Sequence, residues 1–190
     1  MAGKTKVFIA CDIPEVVRKK CAQIQTQLAE ELPKVKWVNP TQMHITLLFL
    51  GDVNDKQLYE ACSMAKKALS VFPAFTFCLK GFGCFPTPRR PRVLWLGVDE
   101  NSRDNFLKIH EQLGSAISLN GWFREERKSF SPHLTLARIN QEMDLSVFIS
   151  RWKIEPWVSE EIQIKEIQIY SSTLGQDGPE YGKLSKIALK

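Results

Sequence analysis

The tetrapeptide His44-Ile45-Thr46-Leu47 returns 89 positions later (133 − 44) as His133-Leu134-Thr135-Leu136. In an extended strand side chains alternate between faces, so each copy sends an imidazole and a hydroxyl to one side and two aliphatics to the other. Ile45, Leu47, Leu134 and Leu136 are then expected in a core, with His44, Thr46, His133 and Thr135 on the walls of one cleft. Two of the chain's three histidines occupy this pattern. A repeated core strand accounts for repeated aliphatics but gives no reason for His and Thr to recur at the same offset. An acid–base pair does give one. Imidazoles with an ordinary pKa of ~6.5 allow one copy to be neutral and the other protonated, as displacement of a poor alkoxide from phosphorus requires. The two hydroxyls can donate to the non-bridging oxygens.

The surroundings of the two copies follow the same order. Lys4 to Cys11 reads as a strand, and Asp12 as the cap of a helix that Pro14 opens and that runs to about Leu32. Lys36-Trp37-Val38 is a short extended piece, Asn39-Pro40 a turn, and His44 to Leu50 the first motif strand, stopped by Gly51. In the second half Arg92 to Val98 is a strand. A helix capped by Asn101 or Ser102 turns Phe106, Ile109, Leu113 and Ile117 inward, and Trp122-Phe123 takes the place of Trp37-Val38 before the second motif. Between these lie an amphipathic helix from Asn54 to Leu69 and an extended run from Phe75 to Phe85, where Gly81 and Gly83 mark a bulge or a close backbone approach. Met143 to Trp152 reads as a short helix, and Ile162 to Tyr170 and Tyr181 to Leu189 as strands, the former with one break of phase. Pro86-Thr87-Pro88-Arg89-Arg90-Pro91 reads as an irregular linker between sequence halves 1–85 and 92–190 of a single bilobed domain. The expected fold is α+β: two pseudo-symmetric lobes of antiparallel sheet, helices on the outside, and the cleft between the lobes.

With 190 residues, 44% of them hydrophobic, the chain can bury a sizeable core. Its 26 Lys+Arg against 21 Asp+Glu give a modest basic excess that suits a polyanionic partner. The first apolar run, Val7 to Cys11, is too short for a signal core or a membrane span, so a cytosolic protein without membrane association is expected. Five cysteines without Cys-x-x-Cys spacing read as free thiols. Neither motif contains Asp, Glu or Cys at ligand spacing, so neither a metal nor a cofactor is expected.

Several stretches together resemble the 2H phosphoesterase family, and within it the bacterial RNA 2′,3′-cyclic phosphodiesterases, also called 2′-5′ RNA ligases. They are Val7-Phe8-Ile9-Ala10, Trp37-Val38 before the first motif, Phe49-Leu50-Gly51 after it, Pro91 to Gly97, and Phe130-Ser131-Pro132-His133-Leu134-Thr135-Leu136-Ala137-Arg138. The resemblance implies metal-independent hydrolysis of RNA or nucleotides ending in a 2′,3′-cyclic phosphate, giving 2′-phosphates, with the reverse 2′-5′ ligation open beside it. It implies His44 as proton donor, His133 as proton acceptor, and Arg138 on the phosphate beside Thr46 and Thr135. A monomer is expected. Leu48 departs from the Lys or Arg that many relatives carry there. Parity sets a condition on Arg138: five positions after His133 it points away from the cleft unless the strand ends or bulges near Ala137.

Phe130 reads as a base-stacking platform or as core, and His110 as a packing residue of its helix. Arg89, Arg90, Arg92, Arg124, Arg127 and Lys128 either follow an RNA backbone or belong to solvated loops. Two other readings compete: a 2′-5′ oligonucleotide phosphodiesterase of the same fold, and a catalytically silent RNA- or nucleotide-binding module. The silent module would be marked by a missing His or Thr in either motif, and all four are present.

Overall fold

The computed structural model describes residues 4–124, 129–175 and 178–190. Strand β1 (Thr5–Asp12) leads into α1 (Glu15–Ala29), β2 (Lys36–Trp37), a 3₁₀ turn (Pro40–Gln42) and the first motif strand β3 (His44–Val53). Helix α2 (Asp55–Ala68), β4 (Phe75–Phe77), β5 (Leu79–Thr87), β6 (Arg90–Val98) and α3 (Glu100–Ser118) follow. The second motif strand is β7 (His133–Arg138), and α4 (Ser146–Ile154), β8 (Ile162–Ile164), β9 (Glu166–Gly175) and β10 (Gly178–Ala188) close the chain.

The main sheet runs β10-β9-β1-β3-β7-β6-β5, with β2 added beside β7. Its centre is thin: β3 and β7 meet antiparallel at the single pair Ile45–Leu134. This divides the sheet into two lobes, β10-β9-β1-β3 and β7-β6-β5, whose facing edges are the two motif strands. The expected architecture is therefore the one observed, with the helices outside. β4 and β8 form a separate two-stranded ribbon. The phase break in the run from Ile162 falls at Lys165, where the chain leaves that ribbon for the main sheet.

The lobes are not the two sequence halves expected. Helix α1, from the first half, lies behind β7: its buried Gln25 donates from Nε2 to Val38 O at 2.8 Å and to Leu136 O at 3.0 Å. Helix α3, from the second half, packs on β3 and α2. Each half sends its long helix across to cover the other lobe's sheet, because the apolar stripe of α1 (Val17, Cys21, Ile24 and Leu28) finds its cover there. Removing both Gln25 donors leaves buried carbonyls short of partners, so Gln25→Leu is expected to lower stability by about 1–3 kcal/mol. A fall in the urea midpoint at unchanged slope would show it.

Residues 86–91 are not an irregular linker but the tip of the β5–β6 hairpin, with Pro86 opposite Pro91 and Thr87 opposite Arg90. Prolines are tolerated there because β5 is a sheet edge, where ladder donors are dispensable. Gly51 does not stop β3. It takes φ +73° within a bulge opposite Val7, and the strand continues to Val53. Both readings of the glycines before the hairpin hold: Gly81 sits at a register shift, and the Trp95 ring occupies the space where a Cβ on Gly83 would stand. Asp99, rather than Asn101 or Ser102, caps α3, accepting from Ser102 N at 3.1 Å. Asp12 does not cap α1, which starts at Pro14 without a side-chain bond.

Candidate active site

The two motif strands repeat one local device. In each, histidine Nδ1 lies 2.7 Å from the carbonyl two residues upstream, Gln42 O for His44 and Ser131 O for His133. A carbonyl only accepts, so Nδ1 carries the proton and Nε2 is the atom presented to the cleft. His44 Nε2 stands 3.1 Å from Thr46 Oγ1. The Gln42 carbonyl is itself fixed: Asn39 caps the 3₁₀ turn, and Gln42 Nε2 donates to Pro179 O at 2.6 Å.

Because the strands are antiparallel about the Ile45–Leu134 pair, one step along each sets His44 beside Thr135 and Thr46 beside His133. The four side chains line one cleft of about 670 Å³ together with Arg138. Arg138 reaches it by the condition that parity imposed. In β7 the register slips between Leu94 and Trp95, so Leu136 and Ala137 both point into the core and Arg138 turns back to the cleft side. β3 slips at the equivalent point, with Leu47 and Leu48 both buried and Phe49 at the cleft in the place that Arg138 occupies on β7. Leu48 is therefore core.

Both imidazoles are half-buried, and burial is the main force holding them below the ordinary value of 6.5. At His44 the Gln42 carbonyl and the Asp12 carboxylate oppose this, while His133 and Arg138 reinforce it. At His133 the Ser131 carbonyl opposes it. Aromatic rings supply the desolvation: Phe8 stacks on His44 at 4.9 Å and Tyr181 meets it edge-on at 5.3 Å, while Phe85 and Trp95 flank His133 at 5.0 and 5.9 Å. Among the described residues no three His, Cys, Asp or Glu side chains cluster as metal ligands, and no helix is long and apolar enough to cross a membrane.

A family described as LigT-like phosphoesterase matches residues 12–95. The RNA 2′,3′-cyclic phosphodiesterase of Thermotoga maritima is 35% identical over 93% of this chain and 91% of its own. The chain belongs to the LigT-like phosphoesterase family. A relative of the same description from Methanocaldococcus jannaschii is 33% identical, covering 93% of this chain and 96% of its own. Among solved structures, TT0787 of Thermus thermophilus superposes with a TM-score of 0.81 at 27% identity over 97% of both chains. E. coli LigT shares the fold at a TM-score of 0.80 and 23% identity over 98% of both chains.

Not every expected site residue of this phosphoesterase lines that cleft. Phe130 stacks on His110 at 4.0 Å and lines a second, more apolar cavity of about 710 Å³. That cavity touches the first through Thr46, Phe49 and His133. His110 bonds Leu47 O at 2.7 Å from behind β3. Arg89 and Arg90 are exposed at the hairpin tip and Arg92 is exposed on β6, none of them lining the cleft; Arg124 borders the second cavity. Arg127 and Lys128 lie outside the described residues. Among the described residues the cations that line the cleft besides Arg138 are Lys6 and Lys36, and sequence reading missed them together with Phe8, Gln42 and Tyr181. Alternation along β1 could have found Lys6 and Phe8, since both share the parity of Ala10 and Asp12.

Proposed function

We propose that this phosphoesterase hydrolyses 2′,3′-cyclic phosphate ends of RNA to 2′-phosphates, with His44 as general acid and His133 as general base. The observation that carries the reading is the pair of opposed Nε2 atoms, each set by an Nδ1–carbonyl bond and sharing one cleft with a guanidinium. Relatives across nearly the whole chain act on the substrate their name states, RNA 2′,3′-cyclic phosphate.

In this reading water attacks phosphorus opposite O3′, and its proton passes to His133 Nε2. The P–O3′ bond breaks as His44 Nε2 gives its proton to O3′, leaving a 2′-phosphate and a free 3′-hydroxyl. Arg138, Thr46 and Thr135 hold the non-bridging oxygens, where charge gathers in the transition state. His133 ends protonated and His44 neutral, and exchange with solvent resets both. One chain supplies both motif strands, so the site is complete in a monomer. The five free thiols suit a reducing compartment, the cytosol.

The test is incubation with a 2′,3′-cyclic mononucleotide and with an oligonucleotide ending in the same group, in the presence of EDTA, followed by chromatography against 2′- and 3′-monophosphate standards. The 2′-phosphate is expected with chelator present. A dominant 3′-phosphate reverses the roles of His44 and His133, and absence of turnover favours a silent binding module. Activity lost to EDTA and restored by a divalent ion sinks the two-histidine mechanism.

The pH dependence has a definite sign. The acid must be protonated, a form lost as pH rises through its pKa, and the base must be neutral, a form lost as pH falls through its own. Burial lowers both values in the free enzyme, so kcat/KM should peak on the acid side of about 6.5 and decline about tenfold per pH unit well above it. A profile flat from about pH 6 to 8 would contradict the assignment.

A further inference from the structure

The two motifs are near-equivalents by backbone, side-chain pattern and bulge, yet acid and base are different tasks. What stands opposite each histidine on the neighbouring strand differs. In the β1–β3 register Asp12 is the partner of His44, whereas in the β6–β7 register Gly97 is the partner of His133. One lobe has a carboxylate where the other has no side chain. Asp12 is held on both oxygens: Tyr170 donates its hydroxyl to Oδ1, and Lys183 Nζ lies 2.7 Å from Oδ2. Both holders come from the far end of the chain, on β9 and β10. Burial and the Asp12 charge push the Tyr170 phenol up, so it remains a proton donor to the carboxylate. Asp12 makes no cap for α1, so nothing local accounts for its placement.

We propose that Asp12, fixed by Tyr170 and Lys183 across the strand pair from His44, is the positioning residue that favours protonated His44 and so assigns the acid role to the first motif. The inference rests on the two-histidine reading above and deepens it by supplying the asymmetry that the motifs lack. An anion beside an imidazole stabilises imidazolium over imidazole, and a half-buried site screens this less than open water does. The titratable groups around His44 are Asp12 on β1, His133 and Arg138 on β7, Tyr170 on β9 and Tyr181 on β10; Lys6, Lys36 and Glu180 line the same cleft, and Lys183 of β10 stands on Asp12. Arg18 of α1 and Glu166 of β9 act on Tyr170. Asp12 alone among these raises His44 through its charge, while His133 and Arg138 lower it. Among the described residues no carboxylate acts on His133 in the same way.

The experiment is an NMR titration of the imidazole resonances, readily assigned with three histidines in the chain, in the parent protein, Asp12→Asn and Lys183→Met. Asp12→Asn should lower the His44 pKa by about 0.5–1 pH unit and leave His133 within about 0.2. Lys183→Met, which removes the cation beside Asp12, should raise it. Opposite signs from two variants of one ion pair are not expected of a merely structural contact. The alkaline limb of the kcat profile should move with His44 in each variant. An unmoved His44, equal movement of His133, or movement of the acid limb instead would overturn the proposal. If Asp12→Asn does not fold, a His44 that fails to rise in Lys183→Met overturns it alone. The titration needs no substrate, so an inactive protein whose His44 responds as stated refutes the proposed function and the acid role with it, while the effect of Asp12 on His44 protonation stands.

Discussion

Alanine at His44 or at His133 is expected to lower kcat by about 10²–10⁴, whereas His110→Ala leaves it within a few-fold. In the proposed mechanism the two cleft imidazoles handle different protons of one displacement, one leaving water and one arriving at O3′. Without either, solvent must perform that transfer without orientation. The double variant should cost little more than the worse single one, because the remaining histidine has no partner step to assist. KM should change less than kcat, since the imidazoles contact the atoms that change bonding and not the body of the strand. His110 has a different position: it sits behind β3, bonded to Leu47 O and stacked on Phe130. Its loss should appear in the unfolding midpoint before it appears in turnover. Single-turnover kinetics on a cyclic mononucleotide, with circular dichroism as the folding check, decide the matter. Equal losses at all three histidines would mean that the pair has been misread.

Arg138→Leu should lower kcat/KM by about 10²–10³, and Arg138→Lys should recover only part of it. A guanidinium spans two equatorial oxygens of a pentacoordinate phosphate with parallel donors, whereas an ammonium meets them as a point charge. The loss should fall mainly on kcat, because charge on those oxygens grows toward the transition state. A rise in KM alone would reduce Arg138 to a ground-state anchor. The same substitution carries a second readout. Removing this cation lifts one of the charges that oppose protonation of His44, so the His44 pKa should rise in the free protein.

The Arg138 position shows where local reading stops. Alternation put His44, Thr46, His133 and Thr135 on one face and their aliphatic neighbours in the core, because those side-chain directions follow from consecutive residues in an extended chain. Ile45, Leu47, Leu134 and Leu136 are all at most 1% exposed. The same parity could state what Arg138 needs, a bulge near Ala137, but not supply it. A bulge is a mismatch of length between two paired strands, so it depends on Leu94 and Trp95 as much as on Leu136 and Ala137.

The sequence by itself determined the repeated motif, the order of elements around it, the buried face of α3, and, through its flanks, the family. Tertiary structure decided which lobe each helix covers, since an apolar stripe states that a helix is covered and not by what. It also turned residues 86–91 into a hairpin, because prolines exclude ladder donors but not a sheet edge. Asp12 is the sharpest case. A capping role and a long-range ion pair compete for the same short carboxylate, and the cap is the only one visible among near neighbours. Lys183 and Tyr170 lie 171 and 158 positions away. They meet Asp12 only because β9 and β10 add to the outer side of β1, so the carboxylate opposite one histidine and the glycine opposite the other lie outside the motifs, and strand order fixes what holds that carboxylate.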